Sequence, residues 1–282
     1  INAVRVTTKR GASNAPISSF FAKVLGFNEF AMQQRAVAWI GFSGPIPPEG
    51  VDQPIAICKE SIVGNDGTVE CNVGRMLNSG GNAATHNTAG WTNFTQLPCE
   101  TASASSVRPL ICANGNPNEI YPRQGVGTTG GTESSALADL TDCWTRAGQG
   151  NDTDGDGTID QVLDSDGDGI PDRGWQLKLL VVKCPGNNVS NCAEVTGVVK
   201  LTMLWINEKN DPHYKDVPRK MSADSAAGTR NWQCTSVDGE TCWNSFRDFF
   251  QLKTWDGQPA EYMDKSFYFM SACGSTETTG AS

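Results

Sequence analysis

The chain has 282 residues, 38% of them hydrophobic, enough for a substantial buried core and too apolar for a wholly disordered chain. Its formal net charge of −9 has one source: residues 152–172 hold eight Asp and no Lys or Arg, so the remainder is close to neutral and offers no basic surface for nucleic acid. No apolar run approaches the ~18 residues that a membrane-crossing helix needs, and ten cysteines with two histidines and no C-x-x-C pair point to disulfides in an oxidising compartment rather than to zinc or haem.

Residues 1–42 are predicted to run strand, helix, strand. Val4 and Val6 alternate with Arg5 and Thr7, and residues 32–41 alternate again, with Ala36, Ala38 and Ile40 on one face. Between them Ile17, Phe20, Phe21, Val24 and Leu25 recur at helical spacing behind Ser18 as N-cap, and Gly26 supplies the stop. The segments NAVRVTTKR, SSFFAKVLGF and AVAWIGFSG, followed by VDQPIAIC, resemble the region after the membrane-anchored start of TadG-like proteins of the tight-adherence (Flp) pilus-assembly family. The resemblance covers about the first 60 residues, with a looser likeness in GWTNF and the Cys-rich middle. It implies an extracellular or cell-surface location and, as partners, other copies of the chain or pilus and surface proteins. Membrane attachment would come only through an N-terminal helix that these residues lack. Because the chain starts at Ile1 with neither Met nor signal peptide, either a removed leader or the outer part of a longer protein is expected.

Residues 43–123 are rich in Gly, Pro, Asn and Thr, broken by short apolar pieces at 55–58, 69–76, 91–94 and 107–112, and are expected to have little core of their own. Cys58 with Cys71 and Cys99 with Cys112 each enclose twelve residues around turn-forming text, so local staples are predicted. Cys184 with Cys192 and Cys234 with Cys242 each enclose seven, which leaves Cys143 to join Cys273 by elimination. Residues 125–130 match the literal G-x-G-x-x-G of a dinucleotide site. The preceding residues 121–124 make a poor buried strand and the rest lacks alternating strand-helix units, so the expectation is a flexible turn entering a helix. That helix is predicted over 132–147, with Ala136, Leu137, Leu140, Cys143, Trp144 and Ala147 on one face.

One pattern is then written twice. Asp152, Asp154, Asp156, Gly157 and Asp160 are answered twelve residues later by Asp164, Asp166, Asp168, Gly169 and Asp172. Carboxylates at positions 1, 3, 5 and 9 and Gly at 6 are what a loop needs to wrap a hard cation, with Thr158 and Ile170 at the position whose main-chain carbonyl ligates. So many carboxylates within reach suit Ca2+, which takes about 6–8 oxygens, better than Mg2+. Position 12, where a bidentate Glu belongs, holds Leu163 and Trp175, so a ligand must come from elsewhere. Tandem Asp-rich loops without flanking helices resemble thrombospondin type 3 repeats, which implies that neighbouring loops complete one another's coordination.

Beyond the loops, 175–184 and 194–207 are predicted to form an antiparallel hairpin at the centre of a sheet, its ends joined by the Cys184–Cys192 staple. Metal binding would then fix strand 175–184 against the helix ending near Ala147. Residues 246–253 and 265–273 are predicted as a final strand pair. The expected class is α+β: a mostly antiparallel sheet with a few helices, disulfide-stapled loops and a tandem calcium loop, arranged as segment 1–42 and a Cys-rich domain 43–282. His86 and His213 stand in loop-like text without a nucleophile elbow or H-E-x-x-H, so no catalytic residue is assigned. The expected function is a non-enzymatic surface or pilus-associated module for assembly or adhesion; the rival is a secreted calcium-stabilised hydrolase.

Overall fold

The computed structural model of the chain describes residues 3–10, 17–18, 29–30, 32–39, 44–63, 70, 73–78, 89–130, 134–148, 164–184, 189–208, 214–225, 228–254 and 256–272. Two compact units are distinguished, one formed by Ile1–Ser43 and one by Gly44–Thr279. In the first, β1 (Ala3–Arg10) is followed by β2 (Ile17–Ser18), β3 (Glu29–Phe30) and β4 (Met32–Trp39). The two predicted strands pair antiparallel, from Ala3 opposite Trp39 to Arg10 opposite Met32. Ile17 and Ser18, expected to open a helix, instead pair with Phe30 and Glu29. The rest of that predicted helix, from Phe20 to Gly26, lies outside the described residues.

The second unit contains, in order, β5 (Ile55–Cys58), β6 (Gly74–Asn78), β7 (Ala89–Gln96), α1 (Ala104–Val107), β8 (Gly125–Thr129), α2 (Ser134–Gly148), β9 (Trp175–Val182), β10 (Cys192–Asn207), β11 (Lys220–Ser225), β12 (Gly228–Gln233), α3 (Gly239–Phe250) and β13 (Ser266–Ser271). The fold is α+β with a mostly antiparallel sheet: seven strands run in the order β6-β13-β10-β8-β7-β5-β9, and β9 also pairs with β10. That extra pairing closes the path β10-β9-β5-β7-β8 back onto β10. Only β5 with β9 runs parallel within it. The sixteen-residue β10 continues past this ring to carry β13 and β6. The predicted central hairpin is therefore present, with Val195 opposite Val182 and Met203 opposite Trp175.

Side-chain alternation divides the core in two. Ala56 and Cys58, Phe94, Val126, Leu180 and Val182, and Ala193, Val195 and Val198 come one set from each ring strand and form one cluster with Ile46, Val51 and Ile120, so they fill the ring. The intervening Ile55, Ile57, Leu179, Val181, Val199 and Leu201 point the other way, into a larger cluster with Leu137, Leu140 and Trp144 of α2 and Trp243, Phe246 and Phe250 of α3. Strands covered on both faces read as unbroken apolar runs, which is why 175–184 was legible. Residues 43–123 overturn the expectation of little core, because their short apolar pieces supply β5, β6 and β7.

Among the described residues four disulfides tie this unit: Cys58–Cys184, Cys99–Cys192, Cys112–Cys143 and Cys234–Cys242. Of the predicted pairings only Cys234–Cys242 is present. Cys184 cannot reach Cys192, because it shares the ring interior with Leu180 and Val182 while Cys192 alternates out of phase with buried Ala193 and Val195 and is exposed. Cys184 instead meets Cys58, which ends β5 opposite Val182 in the parallel pair. Cys99 and Cys112 take partners on β10 and α2 rather than each other, and with Cys143 bound to Cys112 the predicted Cys143–Cys273 bond is excluded. Cys71 and Cys273 lie outside the described residues, while Cys58, the predicted partner of Cys71, is already occupied.

Two further expectations fail for physical reasons. Gly125–Thr129 is a strand of the ring, not a flexible turn: a Cβ at Gly125 would collide with Cys192 Sγ and lie 2.8 Å from Cys99 Sγ, so Gly makes room for a disulfide. Residues 246–250 end helix α3 rather than form a strand. Cys242, Trp243, Phe246 and Phe250 are buried at helical spacing, and Asp238, as N-cap, accepts a 3.1 Å hydrogen bond from the Thr241 N–H. Strand β13 pairs instead with β10 and β6.

Candidate metal centre

The loop that follows α2 in the sequence is organised by Asp164. Its Oδ1 accepts from the Gly167 N–H at 2.7 Å and its Oδ2 from the Gly169 N–H at 2.9 Å, folding the chain back over one carboxylate. Gly169, at position 6, has φ of +81°, a conformation that side-chain-bearing residues rarely adopt. Asp166 Oδ1 accepts from the Asp168 N–H at 3.3 Å, and Asp168 Oδ1 from the Ile170 N–H at 2.8 Å. Carboxylate oxygens of Asp164, Asp166 and Asp168 consequently lie within 4.8 Å of one another. Ligands around a calcium ion at about 2.3–2.6 Å are at most ~5 Å apart, so the three oxygens fit one shared cation.

Electrostatics favour a cation at the same place. Desolvation in the crowded loop raises the Asp166 and Asp168 carboxyls above the ordinary range, Asp168 to about 6, and the neighbouring carboxylates push both further up. N–H donors from Arg219 and Ile170 pull Asp168 partly back. A divalent ion would offset both the desolvation and the repulsion at Asp166 and Asp168.

Asp172 stands apart from the three. Its Oδ2 accepts from the Ser165 N–H at 2.9 Å and hydroxyl at 2.7 Å and pairs with Lys220 Nζ at 3.2 Å, while the buried Oδ1 has no hydrogen-bond partner among the described residues. Ile170, expected to ligate through its carbonyl, packs its half-buried side chain against the larger core cluster. Asp152, Asp154, Asp156, Thr158 and Asp160 lie outside the described residues, as do His86 and His213.

The loop is seated on the start of β11. The Arg219 N–H donates to Asp168 Oδ2 at 2.9 Å, the Ser222 N–H to the Asp172 carbonyl at 2.6 Å, and the Gly174 N–H to the Ser222 carbonyl at 2.8 Å. Arg219 then reaches the Ser236 carbonyl and lies 2.9 Å from Cys242 Sγ, so the chain of contacts runs from the carboxylate cluster to the first turn of α3. The order of elements along the chain points the loop toward strand 175–184, whereas its described contacts are to Arg219, Lys220 and Ser222. Their one sequence signal, the adjacent basic pair at 219–220, says nothing about which distant loop it meets.

Among the described residues no helix is long and apolar enough to cross a membrane. Comparison of the chain with protein-family models, with curated proteins and with solved structures returns no match.

Proposed function

We propose that the chain is an extracytoplasmic module, stabilised by calcium and disulfides, that works by contact with surface or pilus proteins or with other copies of itself rather than by catalysis. The convergence of the Asp164, Asp166 and Asp168 oxygens within 4.8 Å, in the second of two in-register loops, carries this reading. Disulfides persist outside the reducing cytoplasm, where calcium is abundant enough to fill sites of about 10⁻⁴–10⁻³ M affinity. An ion held there would fix Asp168, and through it Arg219 and the β11–β12 hairpin. The resemblance of the first residues to TadG-like proteins supports pilus or surface partners.

Calorimetric titration of chelator-treated protein tests the metal reading. Calcium uptake is expected, together with a rise in unfolding free energy of about 2.7 kcal/mol at a hundredfold excess over Kd. Combined Asp164→Asn and Asp168→Asn should abolish both. Absence of heat and of any thermal shift in the unmodified chain would overturn the metal reading. Turnover of a polysaccharide, peptide or ester substrate, lost on His86→Ala or His213→Ala, would overturn the contact reading in favour of a hydrolase.

A further inference from the structure

An open cavity of about 360 Å³ has Glu49, Asp52, Gln53, Asn114, Trp175 and Gln176 in its lining and none of the carboxylates of the acidic loop. Its volume falls within the range of about 300–1,000 Å³ that small-molecule sites span. Three segments distant in the chain build it: the loop entering β5, the loop after Cys112 and the start of β9. Asn116 fastens the first two together. Its Oδ1 accepts from the Val51 N–H at 2.8 Å, its Nδ2 donates to the Pro47 carbonyl at 2.8 Å, and its N–H donates to the Val51 carbonyl at 3.1 Å. Asp52 joins the third, because its Oδ2 accepts from the Lys178 N–H at 2.6 Å and its own N–H donates to the Lys178 carbonyl at 2.8 Å. The Cys112–Cys143 bond anchors the second loop to α2. Glu49 and Cys112, one in each loop, hold left-handed backbone with φ of +62° and +57°, a conformation that persists where the surrounding structure imposes it. The walls are thus fixed before any ligand arrives.

We propose that this cavity binds an uncharged saccharide. Gln53 is only 4% exposed, and its Oε1 accepts from the Cys112 N–H at 3.2 Å, which sets the amide and leaves its NH2 group to donate. Asn114 and Gln176 add exposed amides that both donate and accept, while exposed Glu49 and half-buried Asp52 add carboxylate acceptors. Half-buried Trp175 packs against the larger core cluster and brings an indole to the same cavity. A sugar presents hydroxyls that donate and accept on a frame with apolar C–H faces, which is the complement of amides and carboxylates beside an aromatic ring.

Other ligand classes fit less well. An apolar molecule would strip water from these polar groups without replacing its hydrogen bonds. An anion would meet the carboxylates of Glu49 and Asp52. A cation would find their counter-charge already in place, since Lys178 Nζ lies 3.5 Å from Asp52 Oδ1 and donates to the Glu49 carbonyl at 3.3 Å. The site is separate from the acidic loop, and calcium uptake and saccharide binding can each stand without the other.

Calorimetric titration of the full chain with chitotetraose, cellotetraose, maltotetraose and mannotetraose tests the assignment. Saturable binding of at least one is expected. Asn114→Ala and Gln176→Ala, both at exposed positions, should each weaken it about fivefold at an unchanged melting temperature. Trp175→Ala should abolish binding, and Trp175→Phe should retain part of it. Absence of heat with all four sugars, or binding that none of these substitutions alters, would overturn the saccharide site. Saturation by tetramethylammonium that Trp175→Ala removes, with none by the sugars, would overturn it in favour of a cation site.

Discussion

At the scale of single residues, packing tolerances in this protein are set where the backbone passes close to sulfur or ring. Gly125 is the clearest case, since the Cys99–Cys192 bond occupies the space a side chain would need. Gly125→Ala is expected to destabilise by about 1–3 kcal/mol through overpacking, seen as a lower urea midpoint with the disulfide still intact by mass. An unchanged midpoint would mean the strand can shift at no cost. Trp205 shows the same closeness from the apolar side. It stacks on Tyr268 at 5.0 Å with 13° between the rings, while Trp243 and Phe246 stand 6.0 and 6.4 Å away. Apolar character at these positions was readable in the chain; their meeting was not.

At the scale of elements, helix α3 depends on its cap. Hydrogen bonds from the Thr241 hydroxyl and N–H hold the Asp238 carboxyl below its ordinary value of 3.8. A carboxyl depressed in the folded state contributes stability that is present above that ordinary value and lost as pH falls through the folded one. Thermal melts from neutral to strongly acidic pH should therefore show an acid-sensitive component that Asp238→Asn removes while the helix stays capped. Asp238→Ala should lower the melting temperature at neutral pH as well. Identical pH profiles for the Asn variant and the parent would exclude the role. The strand predicted over 246–253 failed because aromatic residues favour strands on average, whereas here the spacing of Trp243, Phe246 and Phe250 behind a capping Asp outweighed that preference.

At the scale of the whole chain, long-range covalent ties dominate. Cys58–Cys184 closes a separation of 126 residues and Cys99–Cys192 one of 93, against 8 for Cys234–Cys242. On chain-entropy grounds, removing the first bond should cost about 5 kcal/mol and removing the last about 2–3 kcal/mol. Equilibrium denaturation of Cys58→Ala/Cys184→Ala and of Cys234→Ala/Cys242→Ala checks the order. A larger loss from the short bond would show that local packing around α3, and not loop closure, governs the effect.

The α+β class, the helix around Leu137 to Trp144, the strands 175–184 and 194–207, and the repeated Asp pattern were legible in the chain, because periodicity, composition and spacing are local properties. Which cysteines meet was not legible there, since pairing follows from which face each one occupies once the ring closes, and alternation sends Cys184 inward and Cys192 outward. The same holds for the seat of the acidic loop on Arg219 and Ser222, about fifty residues away. Contacts across such separations depend on the register of strands, and no spacing along the chain encodes them.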